Sequence, residues 1–240
     1  AGQLMGETAE TLAKKYDIPR EEQDRYAAES QNRFEAAKVR GIWKEEIAPV
    51  SIASKKGATV VSVDEHPRDG VVPEQLAKLA PVFAKDGTVT AGNASGIADG
   101  GAALLVMSEE AAKKRGLKPL AVVEARALAG VDPKIMGIGP VPAVGALLKK
   151  TGLKIDAFDL IELNEAFAAQ VLACDRELKL DRARVNVNGG SIAIGHPIGC
   201  TGARVVVTLL HEMRRRDAKR GLATLCVSGG LGIAVSFTKP

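Results

Sequence analysis

Aromatic residues are scarce in this sequence, at 3% of 240 positions. Any core must therefore be built from Val, Ile, Leu and Ala. Cysteine is also scarce: Cys174, Cys200 and Cys226 are too few and too evenly scattered for a disulfide framework. No C-x-x-C pair suggests zinc, so no metal is expected. No run approaches the roughly eighteen consecutive apolar residues of a membrane span, and no signal peptide is expected from the opening AGQLMGETAE. The net charge is only +4, and its signs alternate along most of the chain. No aromatics interleave a basic stripe, so neither nucleic acid nor a membrane is an expected partner. The one dense basic run, Arg214-Arg215-Arg216 with Lys219 and Arg220, falls at the end of an expected helix. There it reads as a solvated terminus that favours the negative end of the helix dipole.

What is present is ordinary globular stock, 46% hydrophobic and 26% charged. The length suits one large domain or two modest ones. The first part is helical. A short helix is expected over Thr8–Tyr16. A second opens at Pro19, carries acids in its first turn, and closes at Gly41. Tyr26, Ser30, Phe34 and Ala37 share one of its faces, so a narrow stripe should pack while the rest stays wet. Glu46–Ala53 and Ala58–Val63 are β-rich, with Ser54-Lys55-Lys56-Gly57 as a hairpin loop. A short helix is placed over Pro73–Ala80, and GTVTAGNASGIADGG reads as a loop with strand at one end.

Beyond Ala98 the alternation becomes regular. Strands are expected over Ala102–Met107, Pro119–Ala127, Asp159–Leu163, Val185–Val187, Leu222–Val227 and Ile233–Phe237. Helices are expected over EEAAKKRG (capped by Ser108), Pro142–Lys150, Ala166–Leu178 and Gly199–Arg216. Strands alternating with helices and ending in a hairpin indicate a layered α/β domain with a mixed sheet. The reading therefore gives residues 1–97 as an irregular α+β region and 98–240 as the sheet domain.

Three places carry candidate chemistry. Asn164-Glu165-Ala166-Phe167 follows a buried strand, the position where α/β sheets place ligands. On that motif alone, Asn164 reads more simply as a helix cap. His196 lies in NVNGGSIAIGHPIGCTG, between glycines that admit a close substrate and next to Pro197. It titrates near neutral pH. The spacing of this segment fits neither common phosphate-binding loop. Cys226 ends a buried strand and enters the turn Val227-Ser228-Gly229-Gly230, whose N–H groups could stabilise an oxyanion. The alternative for Cys226 is an inert buried thiol. Cys174 reads as a core helix residue, and Cys200 as packing at a helix start.

In this order the three motifs resemble the thiolases, the acetyl-CoA acetyltransferases and 3-ketoacyl-CoA thiolases. The resemblance extends over MGETAE, REEQDRYAAESQ, GTVTAGNASGIADG, GVDPKIMGIGPVPA, NEAFAAQ, NVNGGSIAIGHPIGCTGAR and GLATLC. It implies a thiolase-like layered α/β fold, with part of the α+β loop domain at 1–97 and the C-terminal mixed-sheet domain at 98–240. It implies an acyl-CoA C-acyltransferase that works by ping-pong transfer through a cysteine thioester. In that scheme His196 activates the nucleophile and donates to a thioester oxygen. Cys226 moves the proton of the acetyl-CoA methyl, and Asn164 holds the water that completes the oxyanion hole. Met5, Arg68, Phe83, Ala91, Ser95, Met136, Ala166, Phe167 and Ser228 line the coenzyme A and thioester site. For Phe83 and Met136 the alternative is plain core, and for Arg68 a surface charge. Coenzyme A is then a substrate, and no cofactor is expected.

Three positions depart from the family pattern. Ser228 replaces a glycine of C-x-G-G-G, Leu4 stands where some biosynthetic members have His, and Ala98 replaces an Asn. Chain-length preference is left open by these differences. None of the three cysteines matches the family's nucleophile motif, and the chain opens on AGQLMGETAE. The resemblance therefore implies the C-terminal portion only, either a fragment of a longer enzyme or one half of an enzyme whose companion N-terminal half is a separate chain. The nucleophilic cysteine is then on the missing half, with a homo- or hetero-oligomer as the working form. The competing reading is a non-catalytic coenzyme A-binding or assembly subunit. The ketoacyl-carrier-protein synthases fit less well, because they use two histidines where this sequence has His196 and Cys226. Without its partner, the helix over Gly199–Arg216 is expected to expose Val205, Val206, Leu209 and Leu210. The compartment is cytoplasmic by default, with mitochondrial matrix and peroxisome as the alternatives.

Overall fold

A computed structural model describes residues 2–55 and 57–240. Two helices come first, α1 (Met5–Lys15) and α2 (Arg20–Val39), followed by a 3-10 turn over Ile42–Glu45. Strands β1 (Val50–Ser54) and β2 (Gly57–Val61) form a separate antiparallel hairpin, exposed along its length. The expected loop reduces to Lys55 and Lys56, and Lys56 lies outside the described residues. Helices α3 (Pro73–Leu76) and α4 (Glu109–Lys114) are short, and the Ser108 hydroxyl caps α4 through the Ala111 N–H.

The main sheet holds β3 (Val122–Gly130), β4 (Leu160–Leu163), β5 (Arg220–Val227) and β6 (Leu231–Thr238) in the order β3-β6-β5-β4. The β3–β6 and β5–β6 pairs are antiparallel and β4–β5 is parallel, so the sheet is mixed, as expected. The remaining helices are α5 (Pro140–Thr151), α6 (Ala168–Leu178), α7 (Ser191–Ile194) and α8 (Thr201–Arg216).

Period-two alternation assigns each strand residue to a face. Ile161, Leu163 and Leu222 join Ala125 and Ala234 in one core with Val144 and Leu147 of α5, Leu172 of α6, Leu12 of α1 and Ala27 of α2. Their neighbours Leu160 and Ala223 face the other way. With Phe237 they meet Val205, Leu209, Leu210 and Met213 of α8.

Several expectations need correction. The face of α8 that was expected to be bare is core: Val205 and Leu209 are 0% exposed, and Val206 is partly buried. The basic run at its end is not simply solvated. Arg215 bonds Glu46 at 2.7 Å and Glu212 at 2.8 Å, Arg216 pairs with Glu212, and Arg214 lies 3.4 Å from Glu45. The packed stripe of α2 is wider than Tyr26, Ser30, Phe34 and Ala37, since Gln23, Asp24, Ala27, Ala28 and Gln31 are buried too.

Residues 102–107 form no strand. Leu105 is 82% exposed and Val106 76%, and none of the described strands pairs with them. An apolar run becomes a strand only where a neighbour takes up its N–H and C=O groups. The strand expected over Val185–Val187 shrinks to one bridge, Ile161 to Val185, because Asn186 adopts a left-handed φ of 45° that turns the chain away. Among the described residues, no helix is long and apolar enough to cross a membrane.

Candidate active site

The site is built at the carboxyl ends of the two parallel strands. β4 runs into Asn164, whose backbone N–H still donates to Thr224 of β5 at 3.0 Å. Strand geometry therefore fixes where its buried side chain points. Asn164 Oδ1 accepts from the Ser191 hydroxyl at 2.6 Å, and Nδ2 lies 3.5 Å from His196 Nε2. Asn164 is not a helix cap. The residue that caps α6 is Phe167, and it does so without a side-chain bond.

His196 stands between α7 and α8. Gly195, at φ 99°, turns the chain into it, and the His196 N–H donates to Gly96 O at 2.9 Å. The ring is half-buried, with Nδ1 2.7 Å from the Thr201 hydroxyl. Loss of solvent, with a smaller contribution from the Arg204 charge, lowers its pKa below the ordinary 6.5. The imidazole is therefore neutral and basic at physiological pH.

Glu165 points into a different network. Its buried carboxylate accepts from Tyr26 Oη at 2.9 Å, Ser30 Oγ at 2.6 Å, Asn186 Nδ2 at 3.0 Å and Ile192 N at 3.1 Å. One side chain thus ties α2 to the loop that leads to His196. The Gly190 α-carbon lies against it so closely that a Cβ there would overlap the carboxylate. Burial, and then the Glu165 charge, push the Tyr26 phenol well above its ordinary pKa.

Beside these polar groups lies a small apolar cluster. Cys226 packs there with Met136, Ala166, Phe167, Ala9 and Val89, and Phe83 and Ala94 close over it. Phe83 meets Phe167 edge to face at 6.1 Å. Ser95 binds Ala166 O through both its N–H (3.0 Å) and its hydroxyl (2.9 Å). Burial pushes the Cys226 thiol up to about 12. Past it, the β5–β6 turn is fixed by Gly230 at φ 89°, where a Cβ would overlap the Val131 carbonyl.

Of the residues expected at the site, His196 and Asn164 make direct contact. Cys226, Met136, Ala166, Phe167, Phe83 and Ser95 gather around the apolar cluster. Met5 is 40% exposed at the start of α1. Ala91 is exposed, and so is Ser228, in the β5–β6 turn. Arg68 is exposed, and its backbone N–H bonds Gln31. Cys174 is a buried core residue whose thiol donates to Gly137 O at 3.4 Å, and Cys200 sits at the start of α8. Glu165, Ser191, Thr201 and Arg204 were not singled out from sequence. A hydroxyl five residues to either side of His196 was the available signal. Among the described residues, no cluster of His, Cys, Asp or Glu is arranged to hold a metal ion.

Residues 117–239 match the family model for the thiolase C-terminal domain. The chain belongs to the thiolase family. Residues 1–110 of this thiolase chain match the model for the thiolase N-terminal domain. It is 55% identical to an acetyl-CoA acetyltransferase of Paracoccus denitrificans over 236 residues, 98% of this chain and 60% of that protein. It superposes on the crystal structure of the Bacillus anthracis acetyl-CoA acetyltransferase with a TM-score of 0.97 at 52% identity, covering 99% of this chain and 60% of the other. Human mitochondrial 3-ketoacyl-CoA thiolase in complex with CoA matches at a TM-score of 0.89 and 48% identity, covering 98% and 59%. The fold is thus the thiolase fold, and the chain spans about 60% of the length of the relatives it matches.

Proposed function

We propose that the protein acts as an acyl-CoA C-acyltransferase of thiolase type, in Claisen condensation or in thiolytic cleavage of a 3-ketoacyl-CoA by ping-pong acyl transfer. The observation that carries this reading is the meeting of Asn164 and His196 beside the apolar cluster that holds Cys226. A neutral imidazole can deprotonate a thiol nucleophile and then, as imidazolium, donate to a thioester oxygen. Burial keeps Cys226 a thiol. In that form it can return a proton to the acetyl-CoA carbanion when the carbon–carbon bond breaks. The pantetheine arm would run past Phe83, Ser95, Met136 and Phe167, with Met5, Ala91, Arg68 and Ser228 toward the outside.

The nucleophilic cysteine is assigned to thiolase residues outside these 240. Burial raises the pKa of all three thiols here, Cys174, Cys200 and Cys226, and a ready nucleophile needs the opposite. The working form on this reading is an oligomer that includes the N-terminal half or domain, and within this chain the loop domain (1–97) gives way to the sheet domain (98–240) near Ala98. Its compartment is the cytoplasm by default, with mitochondrial matrix or peroxisome as alternatives.

Native mass spectrometry tests the first point by seeking a companion chain with a reactive cysteine. Thiolysis of acetoacetyl-CoA by the complete assembly tests the second. His196→Ala and Cys226→Ser are each expected to lower kcat about a hundredfold or more. Full turnover in both variants would leave only the reading of a non-catalytic coenzyme A-binding subunit.

A further inference from the structure

A neutral imidazole has two tautomers, and the surroundings of His196 select one from both ends of the ring. At the Nδ1 end lies the Thr201 hydroxyl, 2.7 Å away. That hydroxyl donates its only hydrogen to Pro197 O at 2.9 Å, the back-bond of a threonine to the carbonyl four residues earlier. Toward the ring it has only lone pairs to offer. Nδ1 must therefore carry the hydrogen.

At the Nε2 end lies the Asn164 amide, whose orientation is set by a second chain of bonds. Arg204 Nη2 donates to Ser191 Oγ at 2.9 Å, and a guanidinium cannot accept. The Ser191 hydroxyl is buried, and its own hydrogen goes to Asn164 Oδ1 at 2.6 Å. A half-turn of the amide would set a donor against Ser191 and strand the Ser191 hydrogen in the interior. Asn164 therefore turns its N–H toward His196 Nε2, and Nε2 presents its lone pair. The two chains share no hydrogen bond, yet they require the same tautomer.

We propose that Thr201 and Ser191 are positioning residues that hold neutral His196 with its hydrogen on Nδ1 and its Nε2 lone pair toward Asn164. This deepens the proposed function and rests on that reading for its consequence: Nε2 is the atom that takes the proton of the nucleophile. Thr201 opens α8 and Ser191 opens α7, so the two helices that flank the histidine each supply one hydroxyl.

The sequence has only three histidines, which makes the tautomer directly readable. Long-range hydrogen–nitrogen correlation on the protein labelled with nitrogen-15 histidine, at pH about 8, above the ordinary histidine pKa, reads it without turnover. His196→Gln assigns the signal. The expected wild-type pattern is Nδ1–H. Thr201→Ser keeps it. Thr201→Val and Ser191→Ala each lower the ratio of Nδ1–H to Nε2–H tenfold or more. A wild-type Nε2–H pattern overturns the proposal even if no variant folds, and so does a folded Thr201→Val protein with an unchanged ratio. Thiolysis by the same samples, in the complete assembly, separates the two claims. An Nδ1–H histidine without turnover sinks the acyltransfer reading alone, and an Nε2–H histidine with turnover sinks the positioning proposal alone.

Discussion

Replacing Glu162 with Gln should remove a pH dependence from the stability of this protein. Glu162 is central to β4 and buried, and among the described residues the cation paired with it, Arg204, stands off at 3.8 Å. Nε and Nη1 of Arg204 find no hydrogen-bond partner among the described residues, so the pair is poorly made. Burial outweighs the Arg204 charge and lifts the carboxyl from its ordinary 4.5 to about 8. The sign follows from proton counting. Between these values the folded state holds a proton that the unfolded state has released, so stability falls as pH rises through the window and levels off above the folded pKa. From pH 6 to pH 8 the slope is about 1.4 kcal/mol per pH unit, a loss of roughly 2–3 kcal/mol. Urea unfolding of wild type and Glu162→Gln at pH 6 and pH 9 reads the difference, because every other group titrates in both proteins. The variant, which mimics the protonated carboxyl, should exceed wild type by about 2 kcal/mol at pH 6 and by roughly 4–5 kcal/mol at pH 9, so the gap widens by roughly 2–3 kcal/mol between them. Parallel pH profiles, or a variant already several kcal/mol weaker at pH 6, would show that Glu162 is ionised and paired, and the reasoning would fail.

Other changes test other parts of the structure. Leu209→Ala should cost about 2–5 kcal/mol in urea unfolding if the inner face of α8 is core, and almost nothing if that face is bare. Glu165→Gln replaces an acceptor of four hydrogen bonds by a group that can satisfy only some of them. It should cost about 1–3 kcal/mol for each donor left unpaired and lower thiolysis with it. Gly190→Ala should mimic that loss by displacing the same carboxylate. The acid limb of the rate profile should lie below 6.5, because desolvation and Arg204 lower the pKa of His196 and its base form persists further into acid. A limb at or above 6.5 would mean that another group is titrating.

The order and type of the main elements were legible because they rest on local signals. Pro19, the acids after it and Gly41 bracket α2, and Ser108 caps α4. The long periodic segments became α5, α6 and α8 within a few residues. The failures occurred where the decisive interaction was not local. Residues 102–107 have the composition of a buried strand, but a strand exists only with a partner edge, which no single-segment pattern records. Val185–Val187 failed on one backbone angle at Asn186. The α8 face was read as bare because its apolar stripe was assigned to another domain, whereas β4, β5 and β6 of the same sheet cover it.

The site divides along the same line. His196, Asn164 and Cys226 could be nominated because each is a reactive or polar residue where its chain segment changes character. What holds them was invisible. Glu165 lies next to Asn164, and on sequence alone nothing separates a carboxylate that contacts substrate from one that bonds Tyr26 and Ser30, 139 and 135 residues away. Ser191 and Thr201 open α7 and α8 in the fold. Their second role depends on hydrogen-bond direction, and that is set by Arg204 and Pro197 rather than by their own identity. Reactive groups can thus be nominated from a sequence one at a time. The atom of His196 that carries its hydrogen is a property of two bond chains that converge only in the folded chain.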